Sequence, residues 1–340
     1  MRRCIGSRTV IHTRFTETFG VEAPIMSAPM AMVTGATLAG AVSAAGALGT
    51  FGGTNTNRGP QWLRDEVGAI RSATDRPFGV GFITHFLPFT EELFEAALET
   101  GPPVIVLSFA PTGQWMRRAH DAGARVICQV QTMDLVRDAL EEGADALLVQ
   151  GHEAGGHTGT MGLLPFLASA LEVSGDTPVL AAGGVSSGRA LAAVLAAGAD
   201  GASLGTAFLA SREAVDVPDA YKDCIVQSNG EDTVFTTMYD DAAGVQWPKP
   251  VGMRLRRTKH TDRWLGREDE FEGRLDELRA ELPAVLDLER FDPEVTTLLY
   301  GQSAATVDAV RSAAEIVHLL CDEAASLLRN RLPALLHERA

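Results

Sequence analysis

Short, nearly uninterrupted apolar runs alternate along this chain with longer stretches in which apolar residues recur every three or four positions. The runs fall near Pro24–Ala28, Leu48–Gly52, Phe78–Ile83, Val104–Phe109, Val126–Val130, Ala146–Gln150, Pro178–Ala182 and Ala202–Gly205. Runs of this length without polar alternation fit strands buried on both faces, as in a parallel sheet covered by helices. A joint repeats between them: Ala45-Gly46-Ala47-Leu48, Ala122-Gly123-Ala124-Arg125, Glu142-Gly143-Ala144-Asp145 and Ala197-Gly198-Ala199-Asp200. Each glycine suits the left-handed residue that ends a helix, and an apolar run follows it. Thr132 and Ser187 mark helix starts just ahead of apolar residues at helical spacing. Eight strand–helix units predict an α/β fold, a TIM (β/α)8 barrel. A doubly wound open sheet is the alternative, disfavoured by the strand count.

The pattern changes after about Val215. The chain becomes charged and irregular, with Trp247-Pro248-Lys249-Pro250, a basic patch from Arg254 to Lys259, and an amphipathic helical stretch over Glu268–Leu288. The expected organisation is a barrel over residues 1–215 and a smaller, mainly helical cap over 216–300. A C-terminal segment, 301–340, follows, whose helix over Ala304–Leu328 packs back on the barrel.

Charge and cysteine content narrow the function. A formal charge of −15 over 340 residues supplies no basic field for nucleic acid or an anionic membrane. It still permits one phosphate held by backbone N–H groups. The stretch between Glu22 and Arg58 carries no charge, but Pro24, Pro29 and its alanine- and glycine-rich make-up argue against a membrane span. Cys4, Cys128, Cys224 and Cys321 are scattered and form no CxxC, so neither a disulfide framework nor a zinc knuckle is expected. Arg2 and Arg3 are not followed by an apolar stretch of signal-peptide length. A reducing cytoplasm fits this usage best.

Three segments carry candidate chemistry. Ala181-Ala182-Gly183-Gly184 and Ser203-Leu204-Gly205-Thr206 end the last two strands, where a TIM barrel commonly holds a phosphate. Bare glycine backbone approaches phosphate oxygens closely, and a helix N-terminus adds donors and a positive dipole. A tight turn is the simpler reading of Gly183-Gly184. The third segment, Gln150-Gly151-His152-Glu153-Ala154-Gly155-Gly156-His157-Thr158-Gly159, follows the sixth strand at the barrel's catalytic face. Its two histidines are five apart and separated by Gly155-Gly156, which rules out the helical zinc motif; no metal is expected. His157 reads equally as a general base or as a brace for the loop. His152 and Glu153 read as braces.

The last segment resembles the Glu-Ala-Gly-Gly-His signature of the nitronate monooxygenase family, formerly called 2-nitropropane dioxygenases. Ala23-Pro24-Ile25-Met26-Ser27-Ala28-Pro29-Met30 is similar to that family's first strand and loop, Ala181–Gly188 to its phosphate loop, and Ser203–Leu209 to its eighth-strand motif. Tyr300-Gly301-Gln302-Ser303 and the helix after it resemble its C-terminal return. Four motifs in register across nearly the whole chain make the resemblance specific.

The resemblance implies a TIM barrel with a helical cap and non-covalent FMN. It places Ala28, Pro29 and Met30 along the isoalloxazine and Gln129 and Gln150 toward the flavin ring. Gly155 and Gly156 would pass beside the cofactor, and Gly183, Gly184, Ser203, Gly205 and Thr206 would hold it. His157 matches the family's active-site histidine, while Gln302 and Ser303 fall at the pocket mouth. Two departures stand out. Gly81 occupies the third-strand position where many members carry Asn, and Ser108-Phe109-Ala110-Pro111 lacks the second histidine some members have. A less polar pocket follows. The implied reaction is oxidation of alkyl nitronates by O2 to a carbonyl compound and nitrite. The alternative is an FMN-dependent NAD(P)H reductase on the same barrel, acting on enoyl-acyl carrier protein or quinones. The implied partners are a small nitronate and O2, and a homodimer fits as well as a monomer.

Overall fold

The computed structural model describes residues 10–266 and 268–335. Arg2, Arg3 and Cys4 lie outside the described residues. Eight parallel strands form one sheet: β1 Ile25–Ser27, β2 Gly49–Gly52, β3 Phe78–Ile83, β4 Val104–Ser108, β5 Arg125–Val130, β6 Ala146–Gln150, β8 Val179–Ala182 and β9 Gly201–Leu204. β7, Gly156–Thr158, lies between β6 and β8 in sequence but belongs to a second sheet. The strand order is β1-β9-β8-β6-β5-β4-β3-β2. A parallel bridge between Met26 and Leu48 joins the two ends of that order. Ser27 N donates to Leu48 O and Leu48 N to Ile25 O, both at 3.0 Å, so the sheet closes into the expected (β/α)8 barrel.

The near-continuous apolar strands work because side chains alternate between two buried layers. Val104 and Val106 of β4, with Ala146 and Leu148 of β6, point into the barrel and pack with Leu48, Ile127 and Leu180. Ile105, Leu107, Leu147 and Val149, one residue out of phase, pack against the surrounding helices. Phe15 and Phe19 of the helix Arg14–Phe19 join the inner layer, with ring centroids 5.2 Å apart. Thr13 caps that helix reciprocally with Thr16, and Arg14 pairs with Asp200 at 2.7 Å just ahead of β9. The entry ends of the strands are thereby stoppered, and the open face is left at their C-terminal ends. The glycines of the four repeated joints have φ of 92°, 84°, 90° and 107°, the conformation that their place after a helix predicts.

Between residues 216 and 300 the described residues form four helices, Asp219–Gln227, Met238–Ala243, Lys259–Trp264 and Glu268–Val285, and two strands, β10 Thr233–Thr236 and β11 Gly252–Arg256. β11 pairs antiparallel with β10 on one side and with β7 on the other, Met253 lying opposite His157. This three-stranded sheet is not part of the sequence expectation. Its members are short, β7 and β11 are far apart in sequence (Met253 pairs with His157), and β7 is hidden inside a loop motif. The sheet also buries the first residue of the basic patch that starts at Arg254. Arg254 is 5% exposed and donates from Nε to His152 O (2.9 Å) and from Nη1 to Thr233 Oγ1 (3.0 Å).

The C-terminal helix is shorter than expected. Gln302–Thr306 is a 3-10 turn, Val307 and Val310 lie in the connection, and the helix spans Ala313–Ser326. Ser312 sets its start: Ser312 Oγ accepts from Glu315 N (3.2 Å) and Ser312 N donates to Glu315 Oε2 (2.8 Å). The helix lies against Gly188–Ala196, where a Cβ on Gly188 would meet Leu320 O at 2.6 Å.

Candidate active site

One large cavity opens at the C-terminal ends of the barrel strands, with about 1170 Å3 of unfilled space that is partly open to solvent. Ala28, Pro29 and Met30 after β1, Gly81 of β3, Gln129 of β5 and Gln150 of β6 all line it. So do Gly155, Gly156 and His157 from the β6–β8 connection, Gly183 and Gly184 after β8, Ser203, Gly205 and Thr206 around the end of β9, and Ser303. Gln302 is not among the lining residues; its side chain is exposed, and its backbone N–H donates to Glu153 O at 3.1 Å. The turn Gln302–Thr306 thus contributes only Ser303, whose Oγ accepts from Ser186 Oγ at 2.8 Å.

The glycines divide by what surrounds them. A Cβ on Gly81 would fall 2.2 Å from Pro29 Cβ, so its lack of a side chain lets the β1 loop settle over β3. A Cβ on Gly155 would fall 2.4 Å from Tyr300 C and 2.5 Å from Gly301 N, so two backbones cross there. Gly183 and Gly184 have φ of 98° and 71°, and nothing lies within 4 Å of the Cβ position of Gly184. Their N–H groups find no backbone acceptor among the described residues. Beside them, on the neighbouring strand where Ser203 pairs with Ala182, Ser203 Oγ is buried in the cavity wall without a hydrogen-bond partner among the described residues. Two left-handed glycines, of which Gly184 is open while the Cβ position of Gly183 lies 3.1 Å from the backbone of Gly151 and Ala154, and an orphaned hydroxyl form a cradle suited to a phosphate.

Gln150 is partly committed elsewhere. Its Nε2 donates to His157 O (3.0 Å), and its Oε1 accepts from Gln131 Nε2 (3.0 Å). The amide therefore steadies the histidine loop. His152 and Glu153 brace the same loop: His152 Nδ1 meets Gly159 O at 2.8 Å, and Glu153 accepts from Leu163 N at the start of the helix Leu163–Val173.

His157 sits in β7, where the cap sheet meets the barrel. Its Nε2 lies 3.0 Å and 3.1 Å from the two carboxylate oxygens of Asp240. The Trp247 indole stacks on the imidazole at 3.9 Å between centroids and 23° between planes, and donates from Nε1 to Asp240 Oδ1 at 3.2 Å. Phe109 stands edge-on to both rings, 5.1 Å from Trp247 and 6.5 Å from His157. Its φ of 71° is unusual for a non-glycine residue and costs about 1–3 kcal/mol, which marks this corner as one held by its surroundings. Asp240, Trp247 and Gln131 carry no motif. Phe109 is legible only as the apolar departure after the fourth strand. Among the described residues no cluster of three or more metal-ligating side chains occurs, and no helix is long and apolar enough to cross a membrane.

A closed (β/α)8 barrel with a glycine cradle and an imidazole facing one cavity has the layout of a barrel enzyme whose site lies at the strand C-termini. Residues 12–87 and 86–323 match the family model described as nitronate monooxygenase, and the chain belongs to that family. It is 33% identical over 334 residues to nitronate monooxygenase npaC of Metarhizium robertsii, covering 89% of this chain and 91% of that one. It is 36% identical over 232 residues to (3aS,4S,5R,7aS)-5-hydroxy-7a-methyl-1-oxo-octahydro-1H-indene-4-carboxyl-CoA dehydrogenase of Mycobacterium tuberculosis, with 68% of this chain covered. The match spans 64% of the length of that relative and of its Rhodococcus jostii counterpart. Among solved structures, FabK from Thermotoga maritima superposes with a TM-score of 0.83 at 30% identity, covering 96% of this chain and all of that one. Nitroalkane oxidase from Streptomyces ansochromogenes gives 0.71 at 28% identity, over 92% and 98%.

Proposed function

We propose that the protein is an FMN-dependent oxidoreductase that converts alkyl nitronates, and the nitroalkanes they come from, to a carbonyl compound and nitrite with O2. The observation that carries this reading is the meeting, in one cavity, of a glycine cradle and an imidazole held by the Asp240 carboxylate. Gly183, Gly184, Gly205 and Thr206 would hold the FMN phosphate, with Ser203 Oγ as a further donor. Ala28, Pro29 and Met30 would form the shelf beneath the ring system, and Gln129 would offer its amide to the ring edge. Bound FMN would supply the two-electron redox chemistry. His157 would accept the proton from the carbon beside the nitro group, or orient a nitronate by hydrogen bonding. Phe109 and Trp247 would keep water from that proton transfer. Family membership and the similarity to npaC and to the Streptomyces nitroalkane oxidase support the substrate class.

A second reading is a pyridine-nucleotide-dependent flavin oxidoreductase acting on a thioester. The similarity to the Mycobacterium tuberculosis CoA-ester dehydrogenase favours it. Two assays on the FMN-loaded protein separate the readings. Aerobic incubation with a nitronate is expected to release nitrite, and anaerobic mixing with NADH or NADPH is expected to leave the flavin oxidised. Rapid bleaching by NAD(P)H with no nitrite from any nitronate would reverse the assignment.

A further inference from the structure

The geometry points to Asp240, seconded by Trp247, as the positioning residue that fixes the tautomer of His157 and so makes its Nδ1 the proton acceptor; the kinetic part of this inference rests on the nitroalkane reading above. An ionised carboxylate only accepts hydrogen bonds. With both Asp240 oxygens 3.0–3.1 Å from Nε2, the proton of the neutral imidazole must sit on Nε2. The lone pair is then on Nδ1, for which no hydrogen-bond partner occurs among the described residues, in a ring that lines the cavity.

Asp240 is held from several sides. It lies in the first turn of the helix Met238–Ala243, is 8% exposed, and takes a second hydrogen bond from the Trp247 indole. The preceding residue, Tyr239, is buried and anchored through its hydroxyl to His260 Nδ1 at 2.8 Å, and His260 Nε2 meets Glu281 at 3.0 Å. The Trp247 ring, stacked on the imidazole, blocks rotation out of the plane that Asp240 sets. Carboxylate, indole and imidazole therefore lock one another. His157 comes from the barrel connection and the other two from the cap, so the base is complete only when the two are assembled. In the proton transfer, the C–H bond beside the nitro group breaks, its electron pair passes into the nitronate, and the proton goes to Nδ1. A preformed nitronate has already lost that proton and does not need the base.

The test combines Asp240→Asn with 15N NMR of histidine-labelled protein, which distinguishes protonated from bare ring nitrogens. The His157 signals are assigned by their loss in His157→Gln. In the wild type, before any flavin is added, the expected proton is on Nε2. Asp240→Asn is isosteric, but its amide NH2 can donate to Nε2, and the proton is expected to move to Nδ1. Turnover of a neutral nitroalkane should then fall at least about 100-fold in kcat with little change in KM. Turnover of the preformed nitronate, which needs no base, should fall at least about tenfold less than that, and Asp240→Glu should recover part of the nitroalkane loss. The double variant Asp240→Asn/His157→Ala should be no worse than His157→Ala alone, since one residue acts through the other. A wild-type ring protonated on Nδ1 would overturn the proposal, as would equal losses with nitroalkane and nitronate. Should the wild type turn over neither compound, the functional reading fails, and the NMR readout alone still decides the tautomer.

Discussion

The two walls of the cavity are built by different means. The barrel rim relies on backbone: Gly183, Gly184 and Gly205 stand at strand ends, and what they offer is the absence of side chains. The cap wall relies on side chains that lock one another, with Asp240 and Trp247 fixing the ring of His157. Backbone geometry at a strand end is written locally, in two or three residues. A lock between side chains 83 and 90 residues apart exists only after folding. The comparison assigns grip to the rim and proton chemistry to the cap wall, and the two functions should be separable by mutation.

The largest separation is expected from His157→Ala. It should lower kcat for a neutral nitroalkane about 10²- to 10⁴-fold, or roughly 3–5 kcal/mol of barrel-independent transition-state stabilisation, while FMN affinity stays unchanged. A parallel loss of FMN would break the division of labour. Gly155→Ala tests where the walls meet. Its new Cβ would strike the Tyr300–Gly301 backbone at 2.4–2.5 Å, so thermal or denaturant unfolding should show a loss of about 1–3 kcal/mol or more. Gly184→Ala probes the rim alone. The site is open, but its φ of 71° strains an L-residue by about 1–2 kcal/mol. FMN binding should weaken about tenfold while the His157 15N signature stays that of the wild type.

The smallest effect concerns the cap's own support. Burial alone would raise the Glu281 carboxyl, but the hydrogen bond from His260 and the charge of Arg263 outweigh it and hold the group below its usual range. A depressed carboxyl stabilises the fold above its unfolded value, near pH 4.5, and loses that contribution as pH falls below it. Glu281→Gln should therefore cost under about 1 kcal/mol at neutral pH and flatten the acid limb of the stability curve, read by unfolding at stepped pH.

The contrast between the walls also explains what could be read from the chain. The eight barrel strands are legible because each is a short apolar run, several of them closed by glycine, and the helix–strand joints repeat. The rim glycines followed from their place after the last two strands. The cap sheet was not legible: β7 is three residues inside a loop motif, and in β11 the apolar alternation of Met253 and Leu255 is masked by Arg254 and Arg256, which read as a basic patch. Asp240 sits in an ordinary acidic helical turn, and nothing local ties it to His157. Motif neighbourhood points to Gln302 at the pocket, but in the 3-10 turn that holds it only Ser303 lines the cavity. Val307 and Val310 fit a helical spacing and extend the expected C-terminal helix toward Ala304, whereas the Ser312–Glu315 capping box sets its start at Ala313.

In the proposed function the glycine rim grips the phosphate of FMN. Titration of flavin-free protein with FMN and with riboflavin, followed by flavin fluorescence, tests it most directly. Saturable binding of one FMN per chain is expected, with at least about tenfold weaker binding of riboflavin, which lacks the phosphate. Equal affinity for the two, or no binding of either, would contradict it.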